Sequence, residues 1–163
     1  SKLAQMVLNP TQSYRNALNG GDVERGRKLF RPKYQCVACH TADQYPGATI
    51  GPNLQAIGSR ATREQLLEAI VSPNSTIAEG YEAVSLVLRD DKSYLGRIVS
   101  EDNHEVTLLT LTGDSMKLEK NQIKSRTTAK TSSMPSFANL LSIEEAADLV
   151  EFLINLKGSR NLR

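Results

Sequence analysis

The chain has 163 residues, enough for one ordinary domain or two small ones. Hydrophobic residues make up 39%, which permits a buried core, and 20 Lys and Arg stand against 18 Asp and Glu for a formal net charge of +2. With no block of like charge, neither a nucleic-acid groove nor a membrane-surface helix is indicated, and no apolar run approaches the roughly 18 residues of a transmembrane helix, so no membrane span is expected in this fragment.

Residues 1–19 read as a helical lead-in broken at Asn9-Pro10. Leu3, Met6 and Val7 form a small apolar stripe, and Thr11 can cap a second turn before Tyr14 and Leu18. Asn19-Gly20-Gly21 ends it, so 1–21 is expected to be a lead-in or linker, such as the tail of an upstream domain in a longer parent. No secretory signal opens the chain at Ser1, which fits a mature or excised fragment. Asp22 is a good N-cap for a helix over about 22–31. Gly26 and Phe30 share one face of it. A mid-helix glycine costs roughly 1 kcal/mol against alanine, and close contact with another helix would offset that. Pro32 marks the exit. Cys36-Val37-Ala38-Cys39-His40 follows, and then a loop over 41–60 with Tyr45-Pro46-Gly47 and Gly51-Pro52-Asn53-Leu54.

Thr62 and Gln65 form a capping box for a helix of about 62–71, with Leu66, Leu67, Ile70 and Val71 as its buried stripe. From Tyr81 the period changes from helical to two. Val84, Leu86 and Leu88 alternate with polar or smaller residues, and Tyr94 to Ser100, Glu105 to Leu111, Ser115 to Glu119 and Gln122 to Thr127 read as further strands. Together they predict a meander of four or five strands over about 82–127, able to curl into a small barrel. After an aperiodic stretch, Ser142 and Glu145 form a second capping box. Ile143, Ala146, Ala147 and Val150, widened by Leu149, Phe152, Leu153, Ile154 and Leu156, predict a closing helix over about 143–157.

Cys36, Cys39 and His40 carry the chemistry. The pattern C-x-x-C-H is the attachment sequence for a c-type haem. Two thiols two residues apart can add to neighbouring vinyl groups of one macrocycle, and the adjoining imidazole then becomes the proximal iron ligand. A bare C-x-x-C also suits a redox dithiol or half a zinc site, but zinc wants four ligands and this chain has no second C-x-x-C and no paired histidines. Attachment of this kind takes place outside the cytoplasm, so a periplasmic or otherwise exported protein is expected. The candidates for a sixth ligand are Met6, Met116, Met134 and His104. Met116 alternates with Leu118 as a core residue would, His104 sits beside a turn, and Met6 lies in the lead-in. Met134, in the irregular Ser132-Ser133-Met134-Pro135-Ser136-Phe137, is best placed to present a thioether, although a gap-filling role is the plain alternative. Leu54, Ile57, Leu66, Leu67, Ile70, Phe137 and Leu141 are candidates to line the haem, and equally what a helical core needs.

In these residues the chain resembles the class I cytochromes c. Gly26, Phe30 and Phe152 match that family's crossing helices, Cys36, Cys39 and His40 its haem site, Gly51-Pro52-Asn53-Leu54 its G-P-x-L, and Met134-Pro135 its distal M-P. The resemblance covers about 22–81 and 132–157. It implies a mainly α cytochrome c fold, here with the small antiparallel β-meander or barrel inserted between the proximal-side helices and the methionine loop, in one domain over 22–163. It implies one covalent haem c, His40 and Met134 on the iron, and the Pro52 carbonyl accepting a hydrogen bond from the imidazole. It places Leu54 in the cofactor pocket and Arg60 near a haem propionate. Tyr45 and Tyr81 are further candidates for the haem edge. With Ser72-Pro73-Asn74, Ile77 and Gly80-Tyr81, the pattern is similar to the haem-binding module at the C-terminus of large exported proteins of planctomycete, verrucomicrobial and related bacteria. That resemblance implies one-electron transfer from a fused or docked dehydrogenase, with no catalysis by the domain itself. The rival expectations are a haem enzyme or a gas or redox sensor with an open or labile sixth position, and an interaction module in which haem is a structural staple. The inserted meander reads as a cap over the haem or as a docking surface for a redox partner.

Overall fold

A computed structural model describes residues 10–158. Met6, with Leu3 and Val7, falls outside this range. Four α-helices lie within it: α1 (Pro10–Ser13), α2 (Val23–Lys28), α3 (Arg63–Val71) and α4 (Ile143–Ile154). Five strands, β1 (Val84–Leu88), β2 (Ser93–Glu101), β3 (Glu105–Thr110), β4 (Ser115–Glu119) and β5 (Ile123–Thr128), separate α3 from α4.

The helices start where their side chains satisfy free backbone donors. The Asp22 carboxylate accepts from the Arg25 amide at 2.8 Å. At α3 the Thr62 hydroxyl accepts from the Gln65 amide, and Gln65 Oε1 accepts in return from the Thr62 amide. Ser142 and Glu145 make the same reciprocal pair at α4. Helix α2 stops sooner than the expected 31. The chain passes through a wider turn over Leu29–Lys33 in which Arg31 is extended (φ −153°, ψ 130°). The ring of Pro32 crowds the residue before it out of the helical region.

Helix α4 is the axis of the first core. Its Ala146, Ala147, Leu149, Val150, Phe152 and Leu153 are buried against Leu29, Phe30, Leu66, Leu67, Ile70 and Val71. A Cβ on Gly26 would stand 2.7 Å from Phe152 Cβ and collide with the Asp148 carbonyl oxygen, so only glycine lets α2 and α4 approach this closely. The rings of Phe30 and Phe152 meet at 5.4 Å with a 56° tilt. Tyr14 and Ala17, in the stretch read as a lead-in, are buried in this same core, and the Tyr14 hydroxyl donates to the Leu141 carbonyl at 2.5 Å.

The strands form one antiparallel sheet in the order β4-β3-β2-β1-β5. The alternation puts Val84, Leu86, Leu88, Val106, Leu108 and Leu118 on one face, where they make a second core with Tyr94, Ile98, Met116 and Ile123 at its margin. Met116 stands opposite Leu108 in this core, and His104 is exposed on the turn before β3. The expectation of a mainly α cytochrome fold with a β insert is overturned. The chain is an α/β protein, about 32% helical and 22% strand, with a five-stranded sheet and four helices. The physical reason is twofold. The helices are short, of 4, 6, 9 and 12 residues, because prolines, glycines and loop segments interrupt the chain between them. The period-two stretch meanwhile closes an apolar face of its own, so it is a structural half of the molecule.

Candidate functional site

Cys36, Cys39 and His40 lie on one tight turn. Gln35 enters it in the left-handed region (φ 53°, ψ 39°), which reverses the chain after the Leu29–Lys33 turn. Its side-chain amide donates to the Pro32 carbonyl at 2.8 Å. Residues Cys36–Ala38 then form a 3-10 turn, and the Cys39 and His40 amides both donate to the Cys36 carbonyl, at 3.2 and 3.0 Å. Both sulfurs and the imidazole therefore come from adjacent positions of a single backbone loop. Neither cysteine is in a disulfide. Burial pushes the Cys36 thiol up to about 11 and raises Cys39 as well, which keeps both uncharged at neutral pH.

Residues 47–54 fold back across this turn. The Gly51 amide donates to the Cys39 carbonyl at 2.8 Å, and the Leu54 amide donates to the Thr41 carbonyl at 2.8 Å. The Thr41 hydroxyl donates to the Gly47 carbonyl at 2.9 Å. Two glycines permit the approach. A Cβ on Gly47 would collide with the His40 carbonyl, and one on Gly51 would sit 2.5 Å from His40 Cε1 and 2.8 Å from Nδ1. The imidazole thus rests against the bare Cα of Gly51.

His40 Nδ1 lies 2.7 Å from the Pro52 carbonyl oxygen. A carbonyl only accepts, so Nδ1 carries the proton and Nε2 carries the lone pair. Burial lowers the His40 pKa from its ordinary value, and the Pro52 carbonyl offsets part of that. A neutral imidazole in a fixed tautomer, with Nε2 as its donor atom, is the form in which histidine binds a metal. Among the described residues, no cluster of three or more His, Cys, Asp or Glu side chains stands ready to hold an ion. The turn offers one neutral imidazole donor beside two uncharged thiols.

No family model matches the chain.

The other predicted residues are placed as follows. Leu54 is half-buried and, like Ile57 and Phe137, packs against the helical core, in which Leu66, Leu67, Ile70 and Leu141 are buried. Arg60 donates from Nη2 to the Asn53 carbonyl at 2.7 Å, one residue beyond Pro52. Tyr45 lies under the Arg31 guanidinium, whose carbon is 5.2 Å from the ring centre. Met134 sits in a loop pinned to the end of α3. The Ser136 hydroxyl donates to the Val71 carbonyl at 2.6 Å, the Phe137 amide donates to the Ile70 carbonyl at 3.1 Å, and the Met134 amide donates to the Ser132 hydroxyl. Met134 lines a cavity of about 460 Å³ with Pro10, Val71, Pro73 and Pro135, a lining that shares no residue with the Cys36–Pro52 loop. The structure therefore brings Cys36, Cys39, His40, Gly51, Pro52 and Leu54 together, and it places Met134 on a separate loop hydrogen-bonded to the end of α3.

Sequence reasoning missed two contributors. Gly47 packs under the motif, although Pro46-Gly47 reads only as a turn. Arg97, on β2, donates to the Thr49 carbonyl from Nη2 at 2.7 Å and from Nε at 3.2 Å. No local signal marks Arg97, because its partner lies far away in the sequence.

Proposed function

We propose that this protein is a mono-haem c-type electron-transfer protein. One observation carries the reading: the C-x-x-C-H turn comes with its histidine locked by Pro52 into the neutral tautomer that leaves Nε2 free to donate. Cys36 and Cys39 would tether the haem by thioether bonds, and His40 would bind the iron. Met134 is the proposed sixth ligand, because its loop is fixed to α3 by two hydrogen bonds, is tied within itself by a third, and is stiffened by Pro135. When bound, the haem supplies a one-electron couple. The residues of this chain do the rest. Pro52 sets the orientation and basicity of the imidazole. Leu54 and Ile57, half-buried against the helical core, would supply apolar surface to the ring. Arg60, exposed and bonded to the Asn53 carbonyl, would be the cation to pair with an acidic group of the ring. The motif-level resemblance to class I cytochromes c supports a redox partner protein or an upstream dehydrogenase as the electron donor, in the periplasm or another exported location. No helix among the described residues is long and apolar enough to cross a membrane.

The test is expression in a host that matures c-type cytochromes. The expected product is a chain whose haem survives denaturation and acid-acetone extraction, with covalent attachment lost in Cys36→Ser/Cys39→Ser. A ferric near-infrared charge-transfer band that disappears in Met134→Ala would support the Met ligand. Rapid carbon monoxide binding to the untreated ferrous protein would sink the electron-transfer reading in favour of an open-site sensor or enzyme.

A further inference from the structure

The loop that holds the imidazole is itself held from the sheet. Arg97 projects from β2 on the face opposite the sheet's core, as its register partner Leu109 does. Its guanidinium offers two of its donors to one acceptor, the Thr49 carbonyl. Below it the Tyr81 ring supports the same group, with the guanidinium carbon 4.3 Å from the ring centre. A planar cation stacked on an aromatic ring and bonded at its edge has little rotational freedom left. Thr49 is two residues before Gly51 and three before Pro52. A short stretch of backbone therefore runs from the sheet, through Arg97 and Thr49, to the amide that holds Cys39 and the carbonyl that holds His40.

We infer that Arg97 is a positioning residue for the His40 imidazole, acting through the 49–52 backbone; the redox part of this inference rests on the haem reading above. With Arg97 in place, the Pro52 carbonyl stays within 2.7 Å of Nδ1 and makes the imidazole a stronger electron donor to a metal on Nε2. A stronger donor favours the ferric state and lowers the reduction potential. Loss of the guanidinium has two opposed consequences. Loosening the Pro52 contact raises the potential, whereas removing a positive charge lowers it. The sign of the change therefore reports which role dominates.

The experiment compares the wild type with Arg97→Ala and Arg97→Lys. In the whole 163-residue chain, with or without haem, amide exchange at Gly51 and Leu54 should accelerate in Arg97→Ala by about five- to tenfold, the factor that one net hydrogen bond is worth. The Leu108 amide, in the sheet's own core, should not change. Arg97→Lys keeps the charge and one donor and should recover part of the protection. In the haem-loaded protein the potential should rise in Arg97→Ala and return toward wild type in Arg97→Lys. Unchanged exchange at Gly51, acceleration shared equally by Leu108, or an unchanged or lowered potential in Arg97→Ala would overturn the inference. If the wild type takes up no haem, the haem reading fails, and the exchange of Gly51 together with the NMR signal of the His40 Nδ1 proton still decides whether Arg97 positions the ring.

Discussion

At the scale of single residues, the site depends on what is missing from Gly51. The imidazole occupies the space a side chain would take, so alanine there has no room to relax without displacing either the ring or the Pro52 carbonyl. Overpacking of this kind costs about 1–3 kcal/mol. Gly51→Ala is therefore expected to lower the unfolding free energy by that amount in a denaturant titration and to reduce the yield of covalent haem. A full yield with unchanged stability would mean that the ring does not rest on the glycine. The clustering of Cys36, Cys39 and His40 was legible in the sequence because it depends on local spacing, whereas the contact between Pro52 and His40 was reached only through the resemblance of Gly51-Pro52-Asn53-Leu54 to the G-P-x-L of class I cytochromes c. Arg97 and Tyr14 were not. Each makes its contact with a backbone carbonyl, and a carbonyl has no residue type for a pattern to reveal.

At the scale of elements, the crossing of α2 and α4 carries an ion pair between a buried Asp148 and a largely exposed Arg25 at its tightest point. Asp148 is 5% exposed. Its carboxylate accepts from the Asp22 amide at 2.7 Å and from the Arg25 guanidinium at 2.8 and 2.9 Å. Burial alone would push this carboxyl up, but Arg25 and the Asp22 amide outweigh it and hold the pKa below the ordinary aspartate value of 3.8. A depressed pKa in the folded state means that the stabilisation is complete above the unfolded value and is lost as pH falls through the folded one. The unfolding midpoint should accordingly drop as pH is taken below about 4. Glu145, held down by Lys33, and Glu151, held down by Arg63, contribute in the same direction from the same helix. Asp148→Asn should therefore flatten that acid slope without abolishing it, and cost about 1.5–3 kcal/mol near neutrality for the lost charge-assisted bonds. Thermal unfolding of both proteins across the acid range would check this, and parallel slopes would show that Asp148 does not titrate with unfolding. The starts of α2, α3 and α4 and the strand positions were readable from N-caps, capping boxes and the change of period, whereas Thr11, read as a cap, lies inside α1. The end of α2 was not, because Pro32 acts on the residue before it and opens a wide turn that periodicity cannot anticipate. Asp148 was also missed, since an aspartate inside an apolar helix gives no sign of the arginine it will meet across the crossing.

At the scale of the whole molecule, the balance between helix and sheet was the part least legible in the sequence. Two buried clusters exist, one around α4 and one on a face of the sheet, and they share no residue. A motif-led reading gave priority to the helical cluster, because that is where the haem residues lie. The strands were visible individually, but whether a strand-rich stretch is an ornament or an architectural half depends on its tertiary packing. The topology offers a direct way to separate the halves. Val84 at the start of β1 pairs with Thr128 at the end of β5, and the Ala129 amide donates to the Ala83 carbonyl at 2.8 Å. The chain therefore leaves and rejoins the helical half at neighbouring points, about 5 Å apart for an antiparallel pair. A short Gly-Ser linker in place of 84–128 can span that gap without strain. All buried members of the helical cluster lie outside the excised stretch. The shortened chain is thus expected to keep a cooperative helical unfolding transition and to retain covalent haem on Cys36 and Cys39. It should lose the protection of the Gly51 amide that Arg97 confers, and its potential should shift upward as in Arg97→Ala. Circular dichroism, haem staining after denaturing electrophoresis and a redox titration read these three outcomes. A shortened chain without cooperative unfolding would mean that the helical core needs the sheet to fold. A shortened chain with native exchange at Gly51 would mean that the sheet has no hold on the haem loop.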